Sequence, residues 1–382
     1  MIAKALPRLR KVKKVDILLA SSVLLNILMA IAMRIVGSSM YPFFILIYVW
    51  IAVYAVLLSL VLRRNRIIGE PLIRKGFSLA LLAGLTVLVR LIFIGQTELI
   101  SLDPVWYLDF GKFIQMDMMP YADFYFPYPP VFGYFIVVIS NLAPSVDSFR
   151  ILAALLDGAV LIVLWKIADR HAGPKWASFV ALAYSLFPIS IIESGWNGHF
   201  EPLANLFMLL SLWFILDGRH RLSGLMLGLA VATKIYPLLL APIFFFYIKS
   251  WRKRIEFALV GTATTALTFL PFILPVWMRS NAAPSNGATP SSGSTDLFSS
   301  LLGFLTSPQY PTQIVSIIVF ALVSLGVIKI VRQLAQDNPQ SNHRVYQWAV
   351  LFTGAVLVVM GLAAALYPLF PVSRYVYWRY PP

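Results

Sequence analysis

The sequence predicts an all-α polytopic membrane protein, and three observations carry that prediction. Of 382 residues, 59% are hydrophobic and 12% charged, about half the charge of a soluble domain, and the mean hydropathy is +0.80. Apolar runs of about 20 residues recur along the chain, the length a helix needs to cross a hydrocarbon core of ~30 Å. They are too long and too uniform for barrel strands, and lipid obliges the backbone to satisfy its own hydrogen bonds. Finally, Lys and Arg gather in clusters between alternate runs, the pattern of cytoplasmic turns.

The elements follow in order. Residues 1–15 hold Lys4, Arg8, Arg10, Lys11, Lys13 and Lys14 and read as a cytoplasmic tail. Two spans, Asp16–Val36 and Pro42–Leu62, form an N-terminal unit that ends at the basic stretch Arg63–Lys75. Gly76–Gly95 rises to the outer face. Val131–Leu142 is short for a span and follows Pro129-Pro130, so it reads as an interfacial helix. Arg150–Ala168 descends to Lys166, Arg170, His171 and Lys175, and Trp176–Ile192 rises again. Pro202–Leu216 descends. Leu222–Ile248 has basic clusters at both ends and Lys234 near its middle. It reads as two short membrane legs with Lys234 near the outer surface, the alternative being one long tilted span. Glu256–Pro275 rises to a mobile, low-complexity outer loop over 276–311 that includes a short helix, Leu297–Leu305. Thr312–Val331 and Tyr346–Leu366 complete about eleven crossings. The expected division is 1–75, a module over 76–248 whose first outer loop is 96–148, and 249–382.

Net charge +15 raises the question of nucleic acid. The placement of the cations at cytoplasmic turns points to anionic membrane lipid instead. The chain has no cysteine, so disulfide and thiol chemistry are excluded. No phosphate-binding glycine loop, HExxH or GxSxG motif occurs in a plausible context.

The stretch around which the chain is organised is Ser101–Pro130. It is aromatic and Pro-rich, and it contains Asp103, Asp109, Asp117 and Asp123. Asp103, followed by Pro104, either caps a surface helix or stands as a carboxylate above the membrane, placed to take a proton as general base. Asp109 and Asp117 read as solvated; Asp123 is intermediate. Tyr107 and Tyr128 line the same segment. A second outer loop, Glu193–Glu201, holds Glu193, Asn197, His199 and Glu201. A metal site built from Asp103, His199 and Glu201 is conceivable, but no local spacing supports it, so no cofactor is assigned. Lys234, with Tyr236 beside it, is suited to hold a phosphate as a point charge; a snorkelling structural lysine is the alternative. Asp157 and Arg90 lie deep in spans, where charges need partners. Asp157 reads as structural, paired with Lys166 or another base.

Asp103-Pro-Val-Trp-Tyr107, Pro120-Tyr121-Ala-Asp123-Phe124 and Tyr128-Pro129-Pro130 together resemble the first outer loop of the GT-C superfamily of membrane glycosyltransferases. Asn197-Gly-His-Phe-Glu201-Pro202 and Gly228-Leu-Ala-Val-Ala-Thr-Lys234-Ile-Tyr-Pro237 resemble further segments of those families. The likeness covers roughly 76–248 and is nearest to polyprenyl-phosphate-mannose-dependent mannosyltransferases. The resemblance implies transfer of one sugar from a lipid-phosphate carrier to a lipid or glycan acceptor outside the cytoplasm. It further implies inversion, with Asp103 as base, Lys234 on the departing phosphate, and His199 and Glu201 positioning substrate. The spans over 16–62 are an addition to the usual pattern, and the chain stops where many relatives continue. A flippase or transporter, with Arg90, Asp157 and Lys234 lining a path, and an inactive subunit of a membrane complex are the competing readings.

Overall fold

The computed structural model describes residues 20–37, 40–68, 77–97 and 102–282, all within one compact unit. The expected elements beyond 282, and the expected loop over 276–311 from 283 onward, lie outside the described residues. Among the described residues the protein is helical and has no strand, apart from an isolated bridge between Pro120 and Phe124.

The helices are α1 (Ala20–Val36), α2 (Met40–Ile68), α3 (Phe77–Leu91), α4 (Asp103–Gln115), α5 (Pro130–Leu142), α6 (Val146–Ala172), α7 (Pro174–Ser185), the single turn α8 (Pro188–Ser190), α9 (Glu201–Leu216), α10 (His220–Thr233), α11 (Leu240–Tyr247) and α12 (Trp251–Ala282). Two turns interrupt the series, a π turn over Ile191–Trp196 and a 3₁₀ turn over Tyr236–Leu239. Local chemistry sets the starts. Pro130 and Pro174 open α5 and α7, where a missing N–H costs nothing. The Ser145 hydroxyl accepts from the Ser148 N–H to cap α6, and Gly173, at φ 85°, closes it.

Among the described residues, two helices are long and apolar enough to cross a membrane, Val146–His171 and Trp251–Pro275. A third crossing exists if Trp176–Ser185 and Pro188–Trp196, bent by 46°, count as one. The expected straight span over 176–192 is therefore corrected to a broken one. Pro188 cannot donate to the preceding turn and Phe187 ahead of it is extended. Other apolar helices are 10–17 residues long, so these helices do not establish about eleven crossings. Two boundaries also move outward. The second helix runs to Ile68, and α12 continues through Pro271 and Pro275 to Ala282.

α6 is the hub, packing on α3, α7, α9 and the π turn, while α9, α10 and α12 continue the layer in sequence. α4 and α5 lie against each other at the end of the bundle where α6 begins. The N-terminal helices are built into this core: Ala30, Met33 and Trp50 are buried with Val89, Phe93, Ile191 and Trp196.

The α10–α12 contact explains two glycines. A Cβ on Gly224 would lie 2.4 Å from the Phe257 carbonyl oxygen, and one on Gly228 would lie 2.5 Å from that of Gly261. The two backbones touch, as small residues allow between membrane helices. Gly228→Val must push α12 away, at a cost of about 1–3 kcal/mol. It should lower the melting temperature of detergent-solubilised protein, whereas Gly218→Ala, with nothing within 4 Å of its Cβ, loses only the relaxed backbone that its φ of 72° demands.

Candidate functional site

Two acidic residues meet at the α6 end of the bundle by the same local device. Asp103 is the first residue of α4 and is followed by Pro104. Glu201 is the first residue of α9 and is followed by Pro202. Carboxylates are favoured in a first helical turn, and proline fits there. Neither carboxylate is used as a cap: the cap positions belong to Leu102 and Phe200, with no side-chain hydrogen bond. The capping alternative for Asp103 is therefore replaced by another contact.

That contact is His199. Its Nε2 lies 3.2 Å from Asp103 Oδ2, and its Nδ1 lies 2.6 Å from Glu193 Oε2 and 3.8 Å from Glu201 Oε2. Glu201 Oε1 in turn pairs with Lys234 Nζ. Asp103, His199, Glu201 and Lys234, dispersed over more than 130 residues of sequence, thus form one line of alternating charge. The exposures divide the roles. The His199 side chain is 13% exposed, against 31% for Asp103 and 40% for Glu193, so these two carboxylates are open to a substrate while the imidazole is covered; Glu201 is more enclosed, with its Oε2 buried.

Burial opposes a charge on His199, but hydrogen bonds to Asp103 and Glu193 and the field of Glu201 prevail and push its pKa up to about 10. The imidazolium form therefore stabilises the fold fully below the ordinary histidine value of about 6.5, and that contribution is lost as pH rises through about 10. The wild-type melting temperature should fall between pH 7 and pH 10, and His199→Gln should flatten that decline. An equally steep decline in the variant would show that His199 is not the titrating group.

Lys234 sits where α10 ends. Its backbone is extended (φ −146°, ψ 151°), which separates α10 from the 3₁₀ turn and α11 and breaks the long-span alternative for 222–248. Its Nζ lies 4.8 Å from the centre of the Phe200 ring, a cation–π contact added to the Glu201 pair. Phe200 belongs to an aromatic cluster with Tyr107, Phe126, Phe132 and Phe149. Tyr107 is fully buried and Tyr128 packs edge-on to it. Burial, with the Asp103 and Glu201 charges adding, keeps both phenols protonated.

The remaining sequence candidates fall as follows. Asn197 joins the cluster through Glu193, its Nδ2 donating to Oε2 at 3.3 Å. Tyr236 donates to Asn205 Oδ1, a residue of α9 one turn beyond Glu201 that sequence reasoning passed over. Asp123 braces a turn instead, with Oδ2 accepting the Met119 N–H at 2.7 Å. Asp109 is half-exposed and paired with Lys112. The most consequential omission was Glu193. It sat in the second outer loop without an assigned role, and it holds the Nδ1 side of His199. The signal available was the run Glu193-Ser-Gly-Trp-Asn-Gly-His199, in which Gly198, at φ 65°, turns the chain so that the His199 N–H reaches the Glu193 carbonyl. Because His199 gives its two nitrogens to different carboxylates, the acids do not share one focus. Among the described residues no group of three or more His, Asp or Glu is arranged to hold a metal ion.

Arg90 pairs with Asp157 rather than leaving Asp157 to Lys166, their side chains 0% and 1% exposed. Lys166 lies over the Trp213 ring. A sealed pair does not line an aqueous path, which removes the main support for a transporter.

The profile of Glycosyltransferase family 87 matches residues 126–361, beginning after Asp103 and continuing beyond the segment in which the sequence motifs lie. A GPI mannosyltransferase 1 from Candida albicans is 23% identical over 153 residues, 39% of this chain and 38% of that protein. An undecaprenyl phosphate-alpha-4-amino-4-deoxy-L-arabinose arabinosyl transferase 1 from Pseudomonas fluorescens is 25% identical over 169 residues, 39% of this chain and 30% of that protein. The chain thus spans only 38% and 30% of the length of these relatives. No solved structure matches significantly. With the profile spanning well over half of the sequence, and helices suited to a membrane around the site, the chain belongs to glycosyltransferase family 87, a family of GT-C membrane glycosyltransferases.

Proposed function

We propose that this protein transfers one sugar, mannose, from a polyprenyl-phosphate carrier to a lipid or glycan acceptor at the outer membrane face, with inversion. The observation that carries the reading is the charge line itself. A half-open carboxylate, Asp103, and a cation, Lys234, stand at its two ends, joined through His199 and Glu201. Asp103 takes the proton from the acceptor hydroxyl. The acceptor oxygen bonds to the anomeric carbon as the bond from that carbon to the phosphate oxygen breaks, and the electron pair leaves with the lipid phosphate. Lys234 meets the negative charge that grows there. His199, held by Glu193 on its far nitrogen, fixes the direction of Asp103. Tyr107 and Tyr128 wall the site. The name of one relative, a mannosyltransferase, supports the sugar, and that of the other, with its undecaprenyl phosphate-linked sugar, supports the donor class.

The test is transfer in liposomes with radiolabelled polyprenyl-phosphate mannose and a membrane-extracted acceptor. The expected product has the anomeric configuration opposite to the donor's, and a nucleotide-linked mannose gives none. A retained configuration would sink the inverting mechanism. Transfer of another lipid-linked sugar, and none of mannose, would overturn the sugar alone.

A further inference from the structure

The ion pair under the site is sealed from solvent, its side chains 0% and 1% exposed, and its hydrogen bonds are oddly concentrated. Arg90 donates through Nη2 to the Ser190 hydroxyl at 2.7 Å and through Nε to that of Ser194 at 3.0 Å, and Nη1 reaches the Thr86 and Ser185 carbonyls. Asp157 accepts from the Ser190, Ser194 and Tyr184 hydroxyls. Ser190 and Ser194 bracket the start of the π turn, whose next residue, Gly195, lies against the Arg90 backbone. A Cβ there would sit 2.8 Å from the Arg90 carbonyl oxygen. The turn is therefore registered on Arg90 by side chain and main chain together. A π turn is an unusual conformation that recurs at functional sites, and this one carries Glu193. Glu193 holds His199 twice, by its carboxylate at 2.6 Å and by its carbonyl, which accepts the His199 N–H at 2.9 Å.

A buried ion pair contributes little net stability compared with apolar residues of the same volume, so its use here is better sought in geometry. We infer that Arg90 and Asp157 are positioning residues for glycosyl transfer: through Ser194 they lock the π turn that aims Glu193 at His199, and through it Asp103. The inference rests on the proposed role of the Glu193–His199–Asp103 line. It also accounts for a buried pair set 67 residues apart directly beneath the active loop.

The experiment combines two substitutions with transfer kinetics on full-length protein in liposomes. Ser194→Ala removes the hydroxyl that ties the interior of the turn to both members of the pair, leaving the Ser190 link in place, at little cost in volume. It should leave the melting temperature nearly unchanged, lower kcat about tenfold as loss of an outer-shell support does, and leave the donor KM unaltered. In a Glu193→Gln background the same substitution should cost nothing further, because the group it positions has already been disabled. If Ser194→Ala lowers kcat equally in both backgrounds, or in neither, the positioning inference fails. If Glu193→Gln alone transfers at the wild-type rate, the proposed role of Glu193 fails and takes the inference with it. Should Ser194→Ala protein not fold, the double substitution Arg90→Leu with Asp157→Leu replaces it. That variant removes the pair without leaving a buried charge. It should keep the protein folded and lower kcat, and wild-type kcat in it would overturn the inference.

Discussion

Asp103→Asn is expected to lower kcat about 10³-fold, with little change in melting temperature. A general base supplies typically 10²–10⁴-fold, and the rest of the proposed site acts electrostatically. The amide keeps the size of the side chain and an oxygen that can accept from His199 Nε2, so the helix start and the cluster persist. What it loses is the capacity to take a proton. Asp103 is 31% exposed and its stabilising contact is the one with His199 Nε2 at 3.2 Å, which the amide oxygen keeps while losing the charge, so the loss in melting temperature is small beside the loss in rate. Asp109→Asn is the control: an exposed pair with Lys112 contributes about 0–1 kcal/mol and should leave kcat alone. Asp123→Asn touches a turn, through the Met119 N–H, and should show in stability before it shows in rate. Asp103→Asn protein of normal expression that transfers as fast as wild type would remove Asp103 from the reaction.

The sequence made the ends of this charge line visible and hid its middle. Asp103 and Glu201 each precede a proline after a polar loop, and Lys234 interrupts an apolar run between two basic clusters. Each is conspicuous because lipid makes charge expensive. Gly228, six residues before Lys234, was read as part of a motif, and its cause is contact of α10 with α12. Glu193 was harder to single out, because nothing in Glu193-Ser-Gly-Trp announces a π turn. The turn depends on Arg90 and Asp157, and that pairing crosses from α3 to α6. Pair identity across helices depends on their relative rotation, which periodicity alone does not supply. For the same reason the structural pairing expected of Asp157 left its partner open between Lys166 and another base, and the partner is Arg90. The helix after Pro129-Pro130 was legible because length and proline decide it locally, whereas the bend at Pro188 was hidden because apolar composition continues across the break.

Lys234→Met should cost about 10²–10³-fold in kcat, the usual penalty for removing one preorganised group that meets developing charge. Methionine retains the reach and apolar stem, so packing against Phe200 survives and the effect isolates the ammonium. Stability should change by no more than about 1 kcal/mol, since Glu201 is 31% exposed and keeps His199 within 3.8 Å. Lys234→Arg should recover part of the rate, because charge returns but the planar fork does not reproduce a point contact. Glu201 sharpens the interpretation. It holds Lys234 in the resting state, so Glu201→Gln should lower kcat less than Lys234→Met does. The double variant should be no slower than Lys234→Met alone, because residues in one network are not additive. If the two losses multiply, Glu201 acts independently of Lys234, for instance on the acceptor. If instead Lys234→Met raises only the donor KM and leaves kcat intact, the lysine binds phosphate equally in ground and transition states, and another group must stabilise the leaving group.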